Sequence, residues 1–159
     1  MKEYSPAGDI PDDQVFVDYT DTSGRVTIKV PEGWAQSDTA NGVSFTDKLN
    51  TIQLEVLDAS QQPTEATVKS DDLPQLLSSM SNYSGGEVSS VDRAGTTAIL
   101  ATYEADGPKD DVTGKTVTDA FERYVYFQDG VEAILTLSGP TGADNVDPWR
   151  LVSDSLRWK

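Results

Sequence analysis

Along most of this chain, apolar and polar residues alternate in short runs closed by turn residues, the signature of half-buried antiparallel strands. Val15-Phe16-Val17-Asp18-Tyr19 is a short strand. A Thr20–Gly24 turn follows, and then Arg25–Val30, with Val26, Ile28 and Val30 on one face and Arg25, Thr27 and Lys29 on the other. These two strands predict a hairpin, ended at Pro31, which cannot donate to a ladder. A second hairpin is predicted from Gly42–Thr46 (Val43 and Phe45 inward), a turn at Asp47–Asn50, and Thr51–Leu57 (Ile52, Leu54 and Val56 inward). Later come Glu87–Asp92, a turn at Arg93-Ala94-Gly95, and Thr96–Tyr103, which is apolar on both faces and so belongs in mid-sheet. The longest strand, Lys115–Phe127, carries Val117, Phe121, Val125 and Phe127 on one face, interrupted by Asp119 and Arg123. It turns at Gln128-Asp129-Gly130, a strong hairpin signal, into Val131–Leu137, which Gly139-Pro140 breaks.

Twice the period changes to that of a helix. Leu73, Leu76, Leu77 and Met80 fall at i, i+3, i+4 and i+7. Asp72 is the expected N-cap, with a start near Thr64 and a break at Pro74 as the alternative. At the end of the chain Asp147 is the expected N-cap and Pro148 the first helical residue. Val146 and Leu151 are placed to form a hydrophobic staple, and Trp149, Val152 and Leu156 form one stripe. The order is ββββαββββα. It predicts an α+β fold, an antiparallel sheet sandwiched between helices. Residues 1–14 lack periodicity and predict a flexible arm or linker, leaving 15–159 as a single domain.

Composition narrows the function. The net charge is −15, with no histidine and no cysteine among 159 residues. Thiol nucleophiles, imidazole acid–base chemistry, Ser-His-Asp triads and the usual zinc sites are excluded. A polyanion would be repelled, so no nucleic-acid partner is expected, and an anionic membrane surface is disfavoured. No run of about 20 apolar residues suggests a membrane span. Met1-Lys2-Glu3 opens on polar residues rather than on a signal peptide; in a lipoprotein, the signal and the acylated Cys would lie upstream.

Candidate sites are few. Asp106, Asp110 and Asp111 sit in an acidic stretch read as a loop from Glu104 to Thr113, with oxygen ligands suited to Ca²⁺. Their spacing matches no EF-hand, and a solvated loop is the competing reading. Asp144, Asn145 and Asp147 are better explained by capping. Tyr124 and Tyr126, with Trp34 near a sheet edge, are candidates for an apolar groove taking a lipid, glycolipid or partner segment; core packing under a helix competes. With 27 acidic residues, carboxylate pairs carry little signal for hydrolysis. No nucleotide motif occurs, and no cofactor is expected.

Val30-Pro31-Glu32-Gly33-Trp34 after an alternating strand, Asp47-Lys48-Leu49-Asn50, the late aromatic hairpin and a closing Ser155-Leu156-Arg157-Trp158 resemble the PsbP-like domain family. The acidic, Thr/Asp/Gly-rich style is most similar to its actinobacterial secreted lipoprotein (LpqN-type) branch. The resemblance implies an α-β-α sandwich and a non-enzymatic, extracytoplasmic binding or assembly module. It would be anchored to the membrane only through a lipid, with a protein, lipid or glycolipid partner in the cell envelope. The alternatives are a sensor domain of a membrane protein and a carboxylate-based hydrolase. A hydrolase should show one polar pocket holding two carboxyls with raised pKa.

Overall fold

The structure, a computed structural model, describes residues 10, 14–40, 42–47, 50–78, 80, 82–109, 116–141 and 145–158. Its frame is a seven-stranded antiparallel sheet in the order β3-β4-β5-β9-β8-β7-β6. These strands are β3 (Ala35–Asp38), β4 (Gly42–Asp47), β5 (Asn50–Asp58), β6 (Ser84–Arg93), β7 (Thr96–Lys109), β8 (Thr116–Gln128) and β9 (Val131–Pro140). A second sheet of three strands, β1-β2-β10, joins β1 (Phe16–Thr20), β2 (Val26–Pro31) and β10 (Arg157–Trp158). The α+β class stands, with a difference in the layers. One face of the large sheet is covered by a helical segment. The other is covered by α3 (Val146–Asp154) together with the small sheet. Alternation shows which residues of a strand point inward but not which sheet it joins, so the split into two sheets was not predicted.

The main core lies between the two sheets. Val26, Ile28 and Val30 of β2 and Trp149 and Val152 of α3 meet Ile52, Leu54, Tyr124, Tyr126, Leu135 and Leu137. Leu156, beyond α3, and Ile10 complete it. Residues 1–14 were expected to form a flexible arm, yet Ile10 is buried, and its backbone N–H donates to Asn145 Oδ1 at 2.9 Å. On the opposite face, Val68, Leu73 and Leu77 pack on Ile99, Ala101, Tyr103 and Val125.

The first helical segment takes the earlier of the two predicted starts. The Thr64 side chain caps the Thr67 N–H, and Thr67 answers with a bond from the Thr64 N–H. From there α1 (Glu65–Thr67) runs through a π-helical turn (Val68–Asp72) into α2 (Leu73–Ser78). Pro74 explains the wide turn: its ring clashes with the carbonyl four residues back and it has no N–H, so the chain loosens there rather than stopping.

Three boundary readings are corrected. The stretch from Glu104, read as a loop, continues β7 to Lys109 because its backbone pairs with β8 despite polar side chains. Asp147 lies inside the first turn of α3 and is not the N-cap; that position is Asn145, whose side chain bonds to Ile10 and Asn50 instead of capping. Val146 stands 71% exposed, so the expected staple to Leu151 does not form. Asp147 retains only its favourable place at the positive end of the helix dipole. Among the described residues no helix is long and apolar enough to cross a membrane.

Candidate functional site

Tyr124 and Tyr126, predicted as groove residues, lie in the main core and are almost wholly buried. The Tyr126 hydroxyl donates to the Ser153 carbonyl of α3 at 2.6 Å, and that of Tyr124 donates to Glu122 Oε1 at 2.6 Å. Burial pushes the Tyr124 phenol up to about 12, helped by its bond to Glu122. The Arg93 guanidinium sits 5.5 Å from the Tyr124 ring centroid, and its Nε donates to Ser153 Oγ. Trp34 is half-buried against the same core. Tyr124 and Tyr126 stack in this core, and Trp34 packs on the same core. Of the predicted metal set, Asp110 and Asp111 lie outside the described residues. Asp106 is on β7 and accepts from Asn82 Nδ2 at 2.7 Å. Among the described residues no three acidic side chains gather as metal ligands.

The polar concavity lies on the opposite face of the large sheet, beside the helical segment. Among the described residues, the segment covers the β7–β8 half and leaves the β5–β9 half uncovered. Residues opposite one another across antiparallel strands share a face. One row across β5, β9, β8 and β7 is therefore Gln53, Thr136, Arg123 and Ala101; the next is Thr51, Ser138, Phe121 and Tyr103. Asp119, across from Ala105, opens a third. A hollow of about 370 Å³ lies over the first row, walled by Asp72, Gln75, Leu76 and Met80 of the helical segment. It adjoins a hollow of about 240 Å³ over the second and third rows; Gln53, Phe121 and Thr136 line both. Together they make one groove with a hydrogen-bonding floor and an apolar rim.

Arg123 is the groove's cation, its side chain 13% exposed and 3.5 Å from Asp72 Oδ2. Phe121 is half-buried and stacks on Tyr103, ring centroids 4.9 Å apart. Asp119 is 5% exposed and, among the described residues, has neither a hydrogen-bond nor an ion-pair partner; burial holds its carboxyl above the ordinary range. Glu132 is also raised, by burial and then by Asp72, with Arg123 opposing. Glu132 pairs with Phe127 and Asp119 with Pro140, so eight residues of β9 separate their levels on the sheet. At 3.3–3.4 Å per residue that is about 27 Å. Paired glycosidase carboxyls stand roughly 5–10 Å apart. A larger concavity, about 470 Å³, lies between Pro63–Glu65 and the ends of β6–β8. Its carboxylate, Glu65, is already bonded by Ser90 Oγ at 2.8 Å.

The sequence carries a signal for this groove as well as for the aromatic candidates. Asp119 and Arg123 interrupt the apolar face of the longest strand, and the polar face of β5 lines up with them only after pairing through β9.

Asp119 has a measurable consequence. Its folded-state pKa is raised above the ordinary 3.8 of the unfolded chain. The stability it contributes is therefore complete below that value and is lost as pH rises through the folded value. Asp119→Asn should raise stability at pH 7 by about 1–2 kcal/mol in urea unfolding. The gain should disappear near pH 3, at about which both states of Asp119 are protonated. Equal midpoints for the two proteins at pH 7 would contradict the burial cost.

No family model matches the chain, and no curated protein matches it in sequence. Solved structures do match in shape. Cyanobacterial PsbP (CyanoP) from Synechocystis sp. PCC 6803 is 14% identical, covering 96% of this chain and 98% of its own, with a TM-score of 0.66. The Ran-binding protein Mog1p of Saccharomyces cerevisiae is 11% identical over 89% of this chain and 87% of its own, with a TM-score of 0.55. LpqN of Mycobacterium tuberculosis, involved in cell envelope biogenesis, is 16% identical over 93% and 92%, with a TM-score of 0.52. At such identities likeness establishes architecture, and the chain has the PsbP/Mog1-like α+β fold.

Proposed function

We propose that the chain is a non-enzymatic, extracytoplasmic binding module of a cell-envelope lipoprotein of the actinobacterial LpqN type, and that its groove receives the polar end of a lipid or glycolipid. The observation that carries this reading is the half-covered sheet face. Gln53, Thr136 and Arg123 offer donors and acceptors on the floor, while Leu76, Met80 and Phe121 offer apolar surface at the side. Sites of this kind hold a ligand by burying its apolar part and orienting its polar part. The separation of about 27 Å between the levels of Asp119 and Glu132 on the sheet supports binding over hydrolysis. The same shape in LpqN, a protein of cell envelope biogenesis, supports the setting.

The test uses Thr136→Trp, which places a large ring where the two hollows meet. Wild type and variant are incubated with extracted envelope lipids and glycolipids and analysed by native mass spectrometry. Wild type should retain a bound lipid species that the variant loses while keeping its circular dichroism spectrum. The same bound species in both proteins would place binding elsewhere and overturn the groove.

A further inference from the structure

We propose that the Asp119 end of the groove binds a primary ammonium group carried by the ligand's polar head. This rests on the groove reading above and names the chemistry it selects. A carboxylate on a residue only 5% exposed is ordinarily paired or hydrogen-bonded, because leaving one uncompensated is costly. Among the described residues Asp119 has neither kind of partner. It lines the smaller hollow with Asp106, Thr51, Gln53, Phe121, Thr136 and Ser138, and no described Lys or Arg is among these lining residues.

The composition of this hollow specifies what completes it. An ionised carboxylate only accepts hydrogen bonds, so the missing group must donate. Asp106 adds a second negative charge, already taking one bond from Asn82. Two carboxylates favour a positive donor over a neutral hydroxyl, and charge-assisted bonds are the stronger ones. An ammonium has three donors: one for Asp119 and two for oxygens such as those of Thr51, Gln53 or Ser138. Phe121 adds an aromatic ring to the lining, a group a desolvated cation favours. At the other hollow, Arg123 is set to meet an acceptor on the same ligand, so the groove presents opposite polarities to its two ends. The carboxylate that costs stability in the empty protein is thus the group a cationic ligand would satisfy, a trade common at binding sites.

Two sources of such an ammonium are an ethanolamine-like head and an amino sugar. Ethanolamine and glucosamine, with ethylene glycol and glucose as neutral counterparts, are titrated into the ¹⁵N-labelled protein. One or both amines should shift amides of residues 51–53, 119–121 and 136–138 and the neutral counterparts should not; the amine that binds more tightly identifies the source. Asp119→Asn, which should be at least as stable as wild type, should weaken amine binding roughly tenfold or more. Equal shifts from the neutral counterparts, amine binding undiminished in Asp119→Asn, or no shift from either amine would each overturn the ammonium assignment. The groove reading is decided separately, by Thr136→Trp.

Discussion

Truncating Tyr126 to Ala is expected to lower stability by about 3–5 kcal/mol, the cost of removing a large aromatic side chain from a packed interior. The ring has no exposed surface and stands beside Tyr124, with centroids 6.4 Å apart. Its hydroxyl reaches the carbonyl of Ser153 near the C-terminal end of α3. The last four carbonyls of a helix have no partner within it, so this phenol supplies one of them. Domains of this kind are stable by only about 5–15 kcal/mol, so the loss takes a large share of the whole. Tyr126→Phe separates the two contributions. It keeps the ring and removes only the hydroxyl, leaving a buried carbonyl unsatisfied at about 1–2 kcal/mol. Urea denaturation of the three proteins should therefore give a stepped series. A cost below about 1 kcal/mol for Tyr126→Ala would mark a surface residue and revive the groove reading of this tyrosine.

That reading failed for a physical reason. A tyrosine on an alternating strand signals an inward face, but the same pattern serves a ligand groove and a core under a helix. The distinction depends on what covers the face. Here α3 and the small sheet do so, and β2 reaches that position only through pairings with β1 and β10 at opposite ends of the chain. Local turn signals are legible in the sequence. Asp129-Gly130 and Ala94-Gly95 all take positive φ, as tight hairpin turns require. By contrast, β3 is four exposed residues, Ala35–Asp38, whose composition carries no strand pattern; it exists because β4 offers an edge. The groove was half legible. Arg123 and Asp119 stood out as charges on an apolar face, while Gln53, Thr136 and Ser138 looked like the ordinary wet side of their strands. Pairing β5 to β9 and β9 to β8 gathers them, and those pairings join residues far apart in sequence.

The groove and the core also divide the carboxylates by role. Burial pushes the Asp21 carboxyl up, but bonds from the Ser23 hydroxyl and from the backbone N–H groups of Val26, Ser23 and Arg25 outweigh it and hold the carboxyl below the ordinary value. It therefore stabilises the turn above the unfolded carboxylate pKa and loses that contribution as pH falls through the folded one. Asp119 is also buried but lacks such bonds among the described residues, and its effect has the opposite sign. The two buried acids differ in whether the fold supplies their hydrogen bonds, and the one it leaves unsupplied lines a hollow.

Gly139→Ala should cost about 3 kcal/mol, more than its size suggests, since overpacking a rigid site costs about 1–3 kcal/mol before any bond is lost. A Cβ on Gly139 would stand 2.3 Å from Asn50 Oδ1 and 3.4 Å from Asn145 Nδ2. Both asparagines are buried, at 3% and 4% exposure. Asn145 Nδ2 donates to Asn50 Oδ1 at 3.2 Å, and Asn145 Oδ1 receives the Ile10 N–H. Moving Asn50 aside would thus disturb a chain of buried bonds that joins β5, the start of α3 and Ile10. Read from sequence, Gly139 was a strand breaker; in the fold β9 continues through it to Pro140, and the missing side chain makes room for Asn50. A double-mutant cycle tests this. Asn50→Ala relieves the clash, so adding Gly139→Ala to it should cost at least about 1 kcal/mol less than adding it to wild type. Ile10 gives a second readout, because its amide should exchange with solvent faster in Gly139→Ala than in wild type, measured relative to amides in the centre of β9. Strict additivity in the cycle would mean that Gly139 is required for its backbone alone.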